Sequence, residues 1–228
     1  MPAWNESDVI AATVTEVLTA MPEADLLVID DGSTDDTAAL AHAAGASVLT
    51  LPYNMGVGGA LRAGFKYAWR NGYEQVIQVD ADGQHDPRDI PKVLAGLEHA
   101  DISIGARFAG EGAYEARGPR RWAMRLLATA LSAAAHTRLS DVTSGFRAAN
   151  RRTIRQYTHH YPAEYLGDTV DSLMTAIRMG YTVTQVPVAM RPRQGGTPSA
   201  SPVKAMIYLF RSAFALLIST TRRKSSVA

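Results

Sequence analysis

The stretch QVIQVDADGQHDPRD, residues 75–89, sets two aspartates at the end of an apolar run. The run itself, residues 75–80, has the length and composition of a buried strand. Asp80 closes it, and Asp82 follows two positions later. An arbitrary D-x-D is more often a solvated turn than a site. Carboxylates crowded at a strand end, however, raise each other's pKa unless a positive charge lies between them, so the position favours a site.

A divalent cation that bridges a diphosphate would supply that positive charge. Mg²⁺ and Mn²⁺ prefer hard oxygen ligands, and they complete their coordination with phosphate oxygens and water. Gln84 offers a neutral amide oxygen, and His85 is either a further ligand or a partner that orients a ligand. We therefore expect Mg²⁺ or Mn²⁺ at Asp80, Asp82 and Gln84.

Strand and helix patterns alternate on both sides of this stretch. The strand-like apolar runs of the first half are residues 26–30, 46–51, 75–80 and 101–107. Strands separated by single helices indicate right-handed crossovers and a mostly parallel sheet with helices on both faces. The expected fold class is therefore α/β and Rossmann-like, with ligands bound beyond the carboxyl ends of the strands. The first helix is predicted to start at a cap supplied by Ser7 or Asp8.

The second half of the chain is less regular. Helices are predicted over residues 119–136 and 166–179, and a strand over residues 181–190. Between them, SDVTSGFRAAN at residues 140–150 is predicted to be a loop. We expect one domain over residues 1–200, followed by a C-terminal amphipathic helix and basic tail over residues 201–228.

A second acid pair stands in VIDDGSTDD, residues 28–36, again after an apolar run. Asp30 and Asp31 could form only a turn and a helix cap, or a carboxylate here could accept hydrogen bonds from a base or ribose. The glycine-rich NMGVGGALRAG, residues 54–64, lacks the spacing of known phosphate-binding loops. Gly58 and Gly59 are more simply explained by tight packing of a helix on a strand.

Composition excludes several classes of protein. The 228 residues are 46% hydrophobic and 20% charged, which is typical of a folded globular chain. A net charge of +1 gives no sign of a nucleic-acid partner. The absence of cysteine excludes disulfides and thiolate metal sites, and it suits a reducing cytoplasm. Since no uncharged apolar window reaches ~18 residues, no transmembrane helix is expected.

Seven segments of the chain resemble, in order, those of family-2 glycosyltransferases of the GT-A fold. The segments are PAWNES, VIDDGSTDDT, NMGVGGALRAG, QVDADGQHDP, GARF, DVTSGFRAANRR and GYTVTQVPVAMRPRQGG. The likeness covers nearly the whole chain and is closest to the polyprenyl-phosphate sugar synthases of the dolichyl-phosphate mannose synthase group.

The resemblance implies an inverting, metal-dependent enzyme that moves a sugar from a nucleotide-diphosphate sugar to a polyprenyl phosphate. It assigns nucleotide-sugar binding to Pro2, Ala3, Asn5, Glu6, Asp30, Asp31, Gly58 and Asp80. It matches Asp80, Asp82 and Gln84 to the metal and diphosphate motif, and Ser144, Gly145, Phe146 and Arg147 to the loop near the acceptor phosphate. Because a phosphate acceptor needs cations, we expect Arg117, Arg121 and Arg193 to bind it together with Ser144. We expect Asp82, Arg147 and Asp168 to be the catalytic residues.

Acceptor chemistry leaves alternatives open. A sugar hydroxyl would need a carboxylate base, for which Glu164, Asp168 and Asp171 are candidates. A phosphate monoester is largely ionised near neutral pH and needs cations instead. The alternative to a polyprenyl-phosphate transferase is an enzyme that acts on a saccharide hydroxyl in cell-envelope polysaccharide synthesis. A third possibility is a non-catalytic sugar-nucleotide-binding partner of another enzyme.

Two departures from the family pattern matter. Several relatives carry arginine where this chain has Ser140, so Arg107, Arg117, Arg120 or Arg121 would have to replace it. The family also has an apolar strand directly before its P-A-x-N-E motif, where this chain has only Met1. We therefore expect a missing or truncated first strand and a gap in the core. Our hypothesis is that the native chain starts upstream and Met1 is an internal methionine.

The C-terminal stretch, residues 203–221, has a broad apolar helical face followed by the basic sequence RRK. It is either a helix packed on the core or an interfacial helix on anionic lipid or on a small membrane partner protein. With the lipid acceptor, this predicts a cytoplasmic protein that is peripheral on the inner face of the plasma membrane.

Overall fold

The computed structural model describes residues 1–107, 119–162 and 167–192, with the backbone alone at 119–126 and 167–168. The strands are β1 Pro2–Ala3, β2 Leu27–Asp30, β3 Ser47–Thr50, β4 Gln75–Gln78, β5 Ile102–Ala106, β6 Arg147–Asn150 and β7 Val183–Pro187. The helices are α1 Ile10–Ala20, α2 Thr37–Ala43, α3 Val57–Arg70, α4 Ile90–Ala95, α5 Pro119–Ala135, α6 Arg151–His159 and α7 Ser172–Arg178. A π-helix at Gly167–Asp171 precedes α7, and 3₁₀ turns at Pro87–Asp89 and Gly96–Glu98 flank α4.

The strands form two sheets. In the first, β1, β2 and β3 are parallel, and Asp30 at the end of β2 is paired with Ala3 and Thr50. The second sheet has the order β4-β6-β5-β7, in which β5 and β7 are parallel. The α/β fold with its parallel crossovers is thus confirmed, and the acids that follow β2 and β4 lie at carboxyl ends of strands, as predicted.

The prediction that residues 140–150 form only a loop is wrong at its end. Arg147–Asn150 is strand β6, which runs antiparallel between β4 and β5. Its sequence RAAN contains no β-branched residue, so it gives no strand signal of its own. Partners on both edges supply its hydrogen bonds. Ala148 and Ala149 are buried in different apolar clusters, and their small size lets helices approach the sheet there.

The helix boundaries also differ in detail from the predictions. The cap expected from Ser7 or Asp8 is wrong, because α1 starts after Val9 with no side-chain cap. The Glu6 carbonyl accepts hydrogen bonds from the backbone N–H groups of Val9 and Ile10 instead. The helix predicted over 166–179 is divided between the π-helix and α7, and the strand predicted over 181–190 is limited to β7.

Apolar side chains cover both sides of the sheets. One cluster joins α3, α5, α6 and α7, with the rings of Phe65, Tyr157 and Tyr161 in mutual contact at its centre. The other joins α1 and α4 to β2 and contains Phe146. Within the described ranges, no helix is long and apolar enough to cross a membrane.

The first strand, β1, is two residues long. Met1 precedes it, with its amine donating to the Leu27 carbonyl at 2.9 Å and its carbonyl accepting from Ile29 at 2.8 Å. Beside it is a cavity of about 390 Å³, which is lined by β2 and β4 and by apolar side chains of α1, α3 and α4. The expected gap in the core is therefore present between two strands, and none of the acids singled out in the sequence lines it.

Candidate active site

The two acids of the DADGQH stretch follow β4 in a tight turn. Asp82 is buried, and its Oδ1 accepts from the backbone N–H of Gln84 at 3.0 Å. The Asp80 side chain is 37% exposed, and its Oδ1 accepts from the Gln78 amide at 3.2 Å. Thr13 of α1 donates to the Ala81 carbonyl at 3.2 Å and anchors the turn between the acids. Asp80 is thus the more accessible carboxylate of the pair.

His85 lies under this turn and is almost completely buried, with 3% of its side chain exposed. Its Nδ1 accepts from the backbone N–H of Asp80 at 3.1 Å, and its Nε2 is 3.6 Å from Asp80 Oδ2. The ring stacks on Phe146 with 4.7 Å between the centroids and 13° between the planes. Of the two roles considered for His85, these contacts favour the partner that orients a ligand.

Gly145 lies directly against the Asp80 carboxylate. A Cβ atom at this position would be 3.0 Å from Asp80 Oδ2 and 3.4 Å from Oδ1. A glycine here keeps space open beside both carboxylate oxygens. The loop that the resemblance connects with the acceptor therefore lies beside the acid that it connects with the metal.

The donor set fits Mg²⁺ or Mn²⁺. Asp80, Asp82 and Gln84 carry hard oxygen atoms, which these cations prefer. No cluster of three or more His, Cys, Asp or Glu side chains that could hold a metal occurs in the part of the chain that the structure describes. The protein would therefore supply few ligands, and diphosphate and water would complete the coordination, which is how Mg²⁺ is usually bound.

The second acid pair combines a turn with a buried carboxylate. Asp30 Oδ1 accepts from the Ser33 N–H at 3.1 Å, so the turn considered for this acid is present. Asp31 Oδ1 accepts from the Met55 N–H at 2.7 Å. Burial raises the pKa of Asp31, and the charge of Asp30 adds to this, although hydrogen bonds from Met55 and Gly56 act in the opposite direction.

The N-terminal motif is held against the start of α2. Asn5 has a φ of +53°, and its Oδ1 accepts from the Thr34 N–H at 2.9 Å. The backbone N–H of Glu6 donates to Thr37 Oγ1 at 2.8 Å, and Glu6 is buried. Because Pro2 and Ala3 form β1 beside β2, the motif lies next to Asp30 and Asp31.

The glycines of α3 do not pack as the sequence suggested. Gly58 is buried in the first turn of the helix. A Cβ on Gly59 would meet Met55 Cβ at 2.6 Å, so this glycine packs on the preceding loop and not on a strand. The close contact between helix and strand is made by Gly64, where a Cβ would be 3.0 Å from Ile29.

Arg107 fixes the front of the loop before β6, a contact that the sequence did not predict. Its guanidinium donates to Asp141 Oδ2 at 2.5 Å, to Asp141 Oδ1 at 2.9 Å and to Thr143 Oγ1 at 2.7 Å. Burial alone would raise the pKa of Asp141, but the hydrogen bonds and charge of Arg107 hold it below its usual range. Ser144 follows, buried, with its Oγ accepting from Phe146 at 3.3 Å.

Arg147 fixes the rear of the same loop. Its buried guanidinium donates to three backbone carbonyls, those of Val142 at 2.7 Å, Ser144 at 2.7 Å and Thr169 at 2.6 Å. The last of these belongs to the π-helix, so Arg147 ties the loop to that element. These contacts are those of a residue that fixes a loop, and the catalytic role of Arg147 stays a prediction.

The other predicted acceptor and base residues are placed only in part. Arg117, Arg193 and Glu164 lie outside the described residues. Arg121 lies in α5 and Asp168 in the π-helix, but their side chains are outside the described ones. Of the other arginines considered, Arg107 is paired with Asp141, and Arg191 with Glu16 at 2.6 Å and Asp86 at 3.0 Å.

Comparison with known proteins identifies the family. The model of Glycosyl transferase family 2 matches residues 1–158. The undecaprenyl-phosphate mannosyltransferase of Micrococcus luteus is 30% identical over 211 residues, which are 88% of this chain and 86% of that protein. The polyprenol monophosphomannose synthase of Mycolicibacterium smegmatis is 29% identical over 215 residues, 88% of this chain and 79% of that protein.

Solved structures with the same fold include glucosyl-3-phosphoglycerate synthase from Mycobacterium tuberculosis. In its complex with Mn²⁺, UDP-glucose and phosphoglyceric acid, that enzyme superposes with a TM-score of 0.67 at 26% identity, over 96% of this chain and 77% of that chain. In complex with Mg²⁺ and UDP, it superposes with a TM-score of 0.70 at 24% identity, over 96% of this chain and 76% of that chain.

Proposed function

The chain belongs to glycosyltransferase family 2, and we propose that it moves a sugar, with inversion, from a nucleotide-diphosphate sugar to a polyprenyl phosphate. Two relatives at about 30% identity are named for mannosyl transfer to such lipid phosphates. A structural neighbour at 26% identity was crystallised with Mn²⁺ and UDP-glucose. Both observations support this substrate pair for the present chain.

On the donor side, the acid after β2 would bind the nucleotide base, and the acids after β4 would bind the cation. Asp31 offers a buried carboxylate that can accept an N–H of the nucleotide base. Asp80, Asp82 and Gln84 would hold Mg²⁺ or Mn²⁺. When bound, the cation neutralises charge on the departing nucleotide diphosphate. The hydrogen bonds from Gln78 and Gln84 preset the two carboxylates before any ligand arrives.

On the acceptor side, a phosphate monoester needs positive charge more than it needs a base. Its second pKa is ~6, so an oxygen of the acceptor is already an anion near neutral pH. Within the described side chains, Arg107 and Arg191 are engaged by acids of the protein. We therefore assign the acceptor phosphate to Arg117, Arg121 and Arg193, with Ser144 in the adjoining loop.

The observation that carries this proposal is the contact of Gly145 with the Asp80 carboxylate. It places the loop before β6 beside the proposed metal ligand, since a Cβ on Gly145 would be 3.0 Å from Asp80 Oδ2. A sugar on the diphosphate and a phosphate on the loop would then meet at one point. The attack on the anomeric carbon would come from the side opposite the departing diphosphate.

The proposal is tested by incubating the purified chain with polyprenyl phosphate, Mn²⁺ and a panel of radiolabelled UDP- and GDP-sugars. We expect label from one donor in organic-extractable, mild-acid-labile lipid. Label found only in water-soluble saccharide would support a hydroxyl acceptor instead. Donor binding without transfer to either would support the non-catalytic partner.

The variant Asp82→Ala tests the proposed metal site. Removing this carboxylate should lower metal-dependent turnover at least ~100-fold, since it takes away one of two charged ligands. The control is Asp36→Ala, which removes an exposed acid whose side chain makes no cap hydrogen bond. Circular dichroism should show both variants folded. Near-normal turnover of Asp82→Ala would contradict the proposed site.

We also propose that the enzyme works at the cytoplasmic face of the plasma membrane. A polyprenyl phosphate is itself a membrane lipid, so its head group must be met at the surface. Residues 201–228, the basic helical tail expected from the sequence, lie outside the described residues. Their proposed contact is with anionic lipid or with a small membrane partner protein.

A further inference from the structure

We infer that His85 is a positioning residue that connects the metal-binding Asp80 to the acceptor loop through Phe146. The inference rests on the proposed function, because it takes Asp80 as a metal ligand. It assigns His85 no contact with the cation. The acceptor loop is defined here as residues 140–146, which include Arg107's partners Asp141 and Thr143 and end directly before β6.

The first part of the connection is between His85 and Asp80. The Asp80 N–H donates to His85 Nδ1, so Nδ1 is an acceptor and the proton of the neutral ring is on Nε2. That N–H faces Asp80 Oδ2 at 3.6 Å, which is too long for a hydrogen bond but keeps a positive dipole beside the carboxylate. One ring therefore fixes the backbone of Asp80 and faces its side chain.

The second part is the stack of His85 on Phe146. Phe146 is completely buried, and its carbonyl accepts from the Gly105 N–H of β5 at 2.8 Å. A Cβ on Gly105 would be 2.9 Å from the Phe146 ring, so the glycine leaves the room that the ring needs in this position. The planes of the two rings are only 13° apart, so the stack fixes the tilt of the imidazole as well as its position.

The third part is the place of Phe146 in the chain. It stands between Gly145, which lies beside the Asp80 carboxylate, and Arg147, which is bound to three carbonyls. A displacement of the acceptor loop therefore moves two neighbours of Asp80 together, the glycine beside its oxygens and the ring beneath its backbone. His85 itself is also bridged to Met190, which limits its own displacement.

Residues that orient metal ligands commonly change metal affinity 10- to 100-fold when they are replaced. We therefore expect His85→Phe, which keeps an aromatic stack and loses the Nδ1 acceptor, to raise the Kd for Mn²⁺ at least ~10-fold. His85→Asn keeps an acceptor near Nδ1 and loses the stack, so its Kd should rise less. Phe146→Leu should raise the Kd ~3- to 10-fold, although Phe146 supplies no ligand.

The measurement is free Mn²⁺ by electron paramagnetic resonance, titrated into each full-length variant with UDP present and, separately, with GDP. The matched control is Phe65→Leu, a buried ring that packs on Tyr157 and Tyr161 in the other apolar cluster. It should lose a comparable amount of thermal stability and keep its Mn²⁺ affinity.

Unchanged Mn²⁺ affinity in His85→Phe and Phe146→Leu would overturn the inference, even if turnover fell. If His85→Phe does not fold, His85→Asn and Phe146→Leu are compared with Phe65→Leu. Mn²⁺ affinities equal to that of Phe65→Leu would then overturn the inference. Asp82→Ala is titrated in parallel. Wild-type Mn²⁺ binding by that variant would refute the metal site of the proposed function, whereas its loss leaves the role of His85 to be decided by the other variants.

Discussion

Asp31 combines burial, a raised pKa and a position next to the N-terminal motif, and so its protonation can be followed through donor binding. A carboxylate that accepts an N–H from the base loses this capacity when it is protonated. Because the pKa of Asp31 lies above the usual value, affinity for the nucleotide should begin to fall at a higher pH than for an ordinary aspartate near ~3.9.

The experiment compares wild-type protein with Asp31→Asn, using UDP and GDP binding by calorimetry from pH 7 down to pH 4. Ionisation of the diphosphate affects both proteins equally, so the difference between the two curves isolates Asp31. A raised acid pKa in the folded state adds stability as the pH falls through it, so the loss of affinity is not caused by unfolding through this group. If the nucleotide affinity of the two proteins changed with pH in the same way, the assignment of Asp31 to the nucleotide base would be wrong.

Single residues also show how far the sequence alone could predict the site. Asp80 and Asp82 were recognisable because acids at strand ends carry a local signal, whereas Gly145 was matched only through the family resemblance. Arg107 and Asp141 are 34 residues apart in the chain. Their bidentate pair gives no local pattern, and only the ending of β5 beside the acceptor loop brings them together. Removing one partner of such a buried pair typically costs ~3–5 kcal/mol.

Among the elements, the alternating strands and helices of the first half were predictable because each strand is a compact apolar run. Strand β6 was not, since the sequence RAAN fits a loop equally well and the strand exists through its partners β4 and β5. The π-helix before α7 could not be predicted either. Its Thr169 carbonyl is bound by Arg147, a contact between segments 22 residues apart.

The cavity between β2 and β4 leads to a prediction about the elements that border it. β4 is an edge strand of its sheet in the described structure, and β1 pairs with β2 over only two residues. Five apolar residues appended before Met1 would extend ~16 Å as a strand, enough to run along both edges. Such a segment would bury apolar side chains and pair backbone groups that now lack a strand partner.

Each buried side chain contributes ~1.5–3 kcal/mol and each ordered backbone residue costs ~1–2 kcal/mol. A net gain of ~2 kcal/mol should raise Tm by about 4–8 °C for a domain of this size. The appended sequence Val-Ile-Val-Val-Ile is compared with Gly-Ser-Gly-Ser-Gly by differential scanning calorimetry, and amide exchange is followed in β4. Equal melting temperatures and unprotected β4 amides would show that the cavity does not accept a strand.

For the whole molecule, the central question is how a chain with this fold would reach the proposed lipid substrate. The described helices include none that could span a membrane. The proposed membrane contact is made by the expected apolar face of residues 203–221 and by the basic residues Arg222, Arg223 and Lys224. Each basic side chain near an anionic surface contributes ~1 kcal/mol, so three together correspond to a change of roughly 100-fold in partitioning.

Deleting residues 203–228 should therefore release the protein from vesicles that contain anionic lipid, measured by co-sedimentation. Replacing Arg222, Arg223 and Lys224 with alanine should weaken binding in the same direction without removing the apolar face, and added salt should weaken wild-type binding. Vesicles of neutral lipid serve as the control for charge. If the truncated chain sediments with anionic vesicles as the full chain does, the tail is not the membrane contact. A large fall in Tm on truncation would assign it to the core instead.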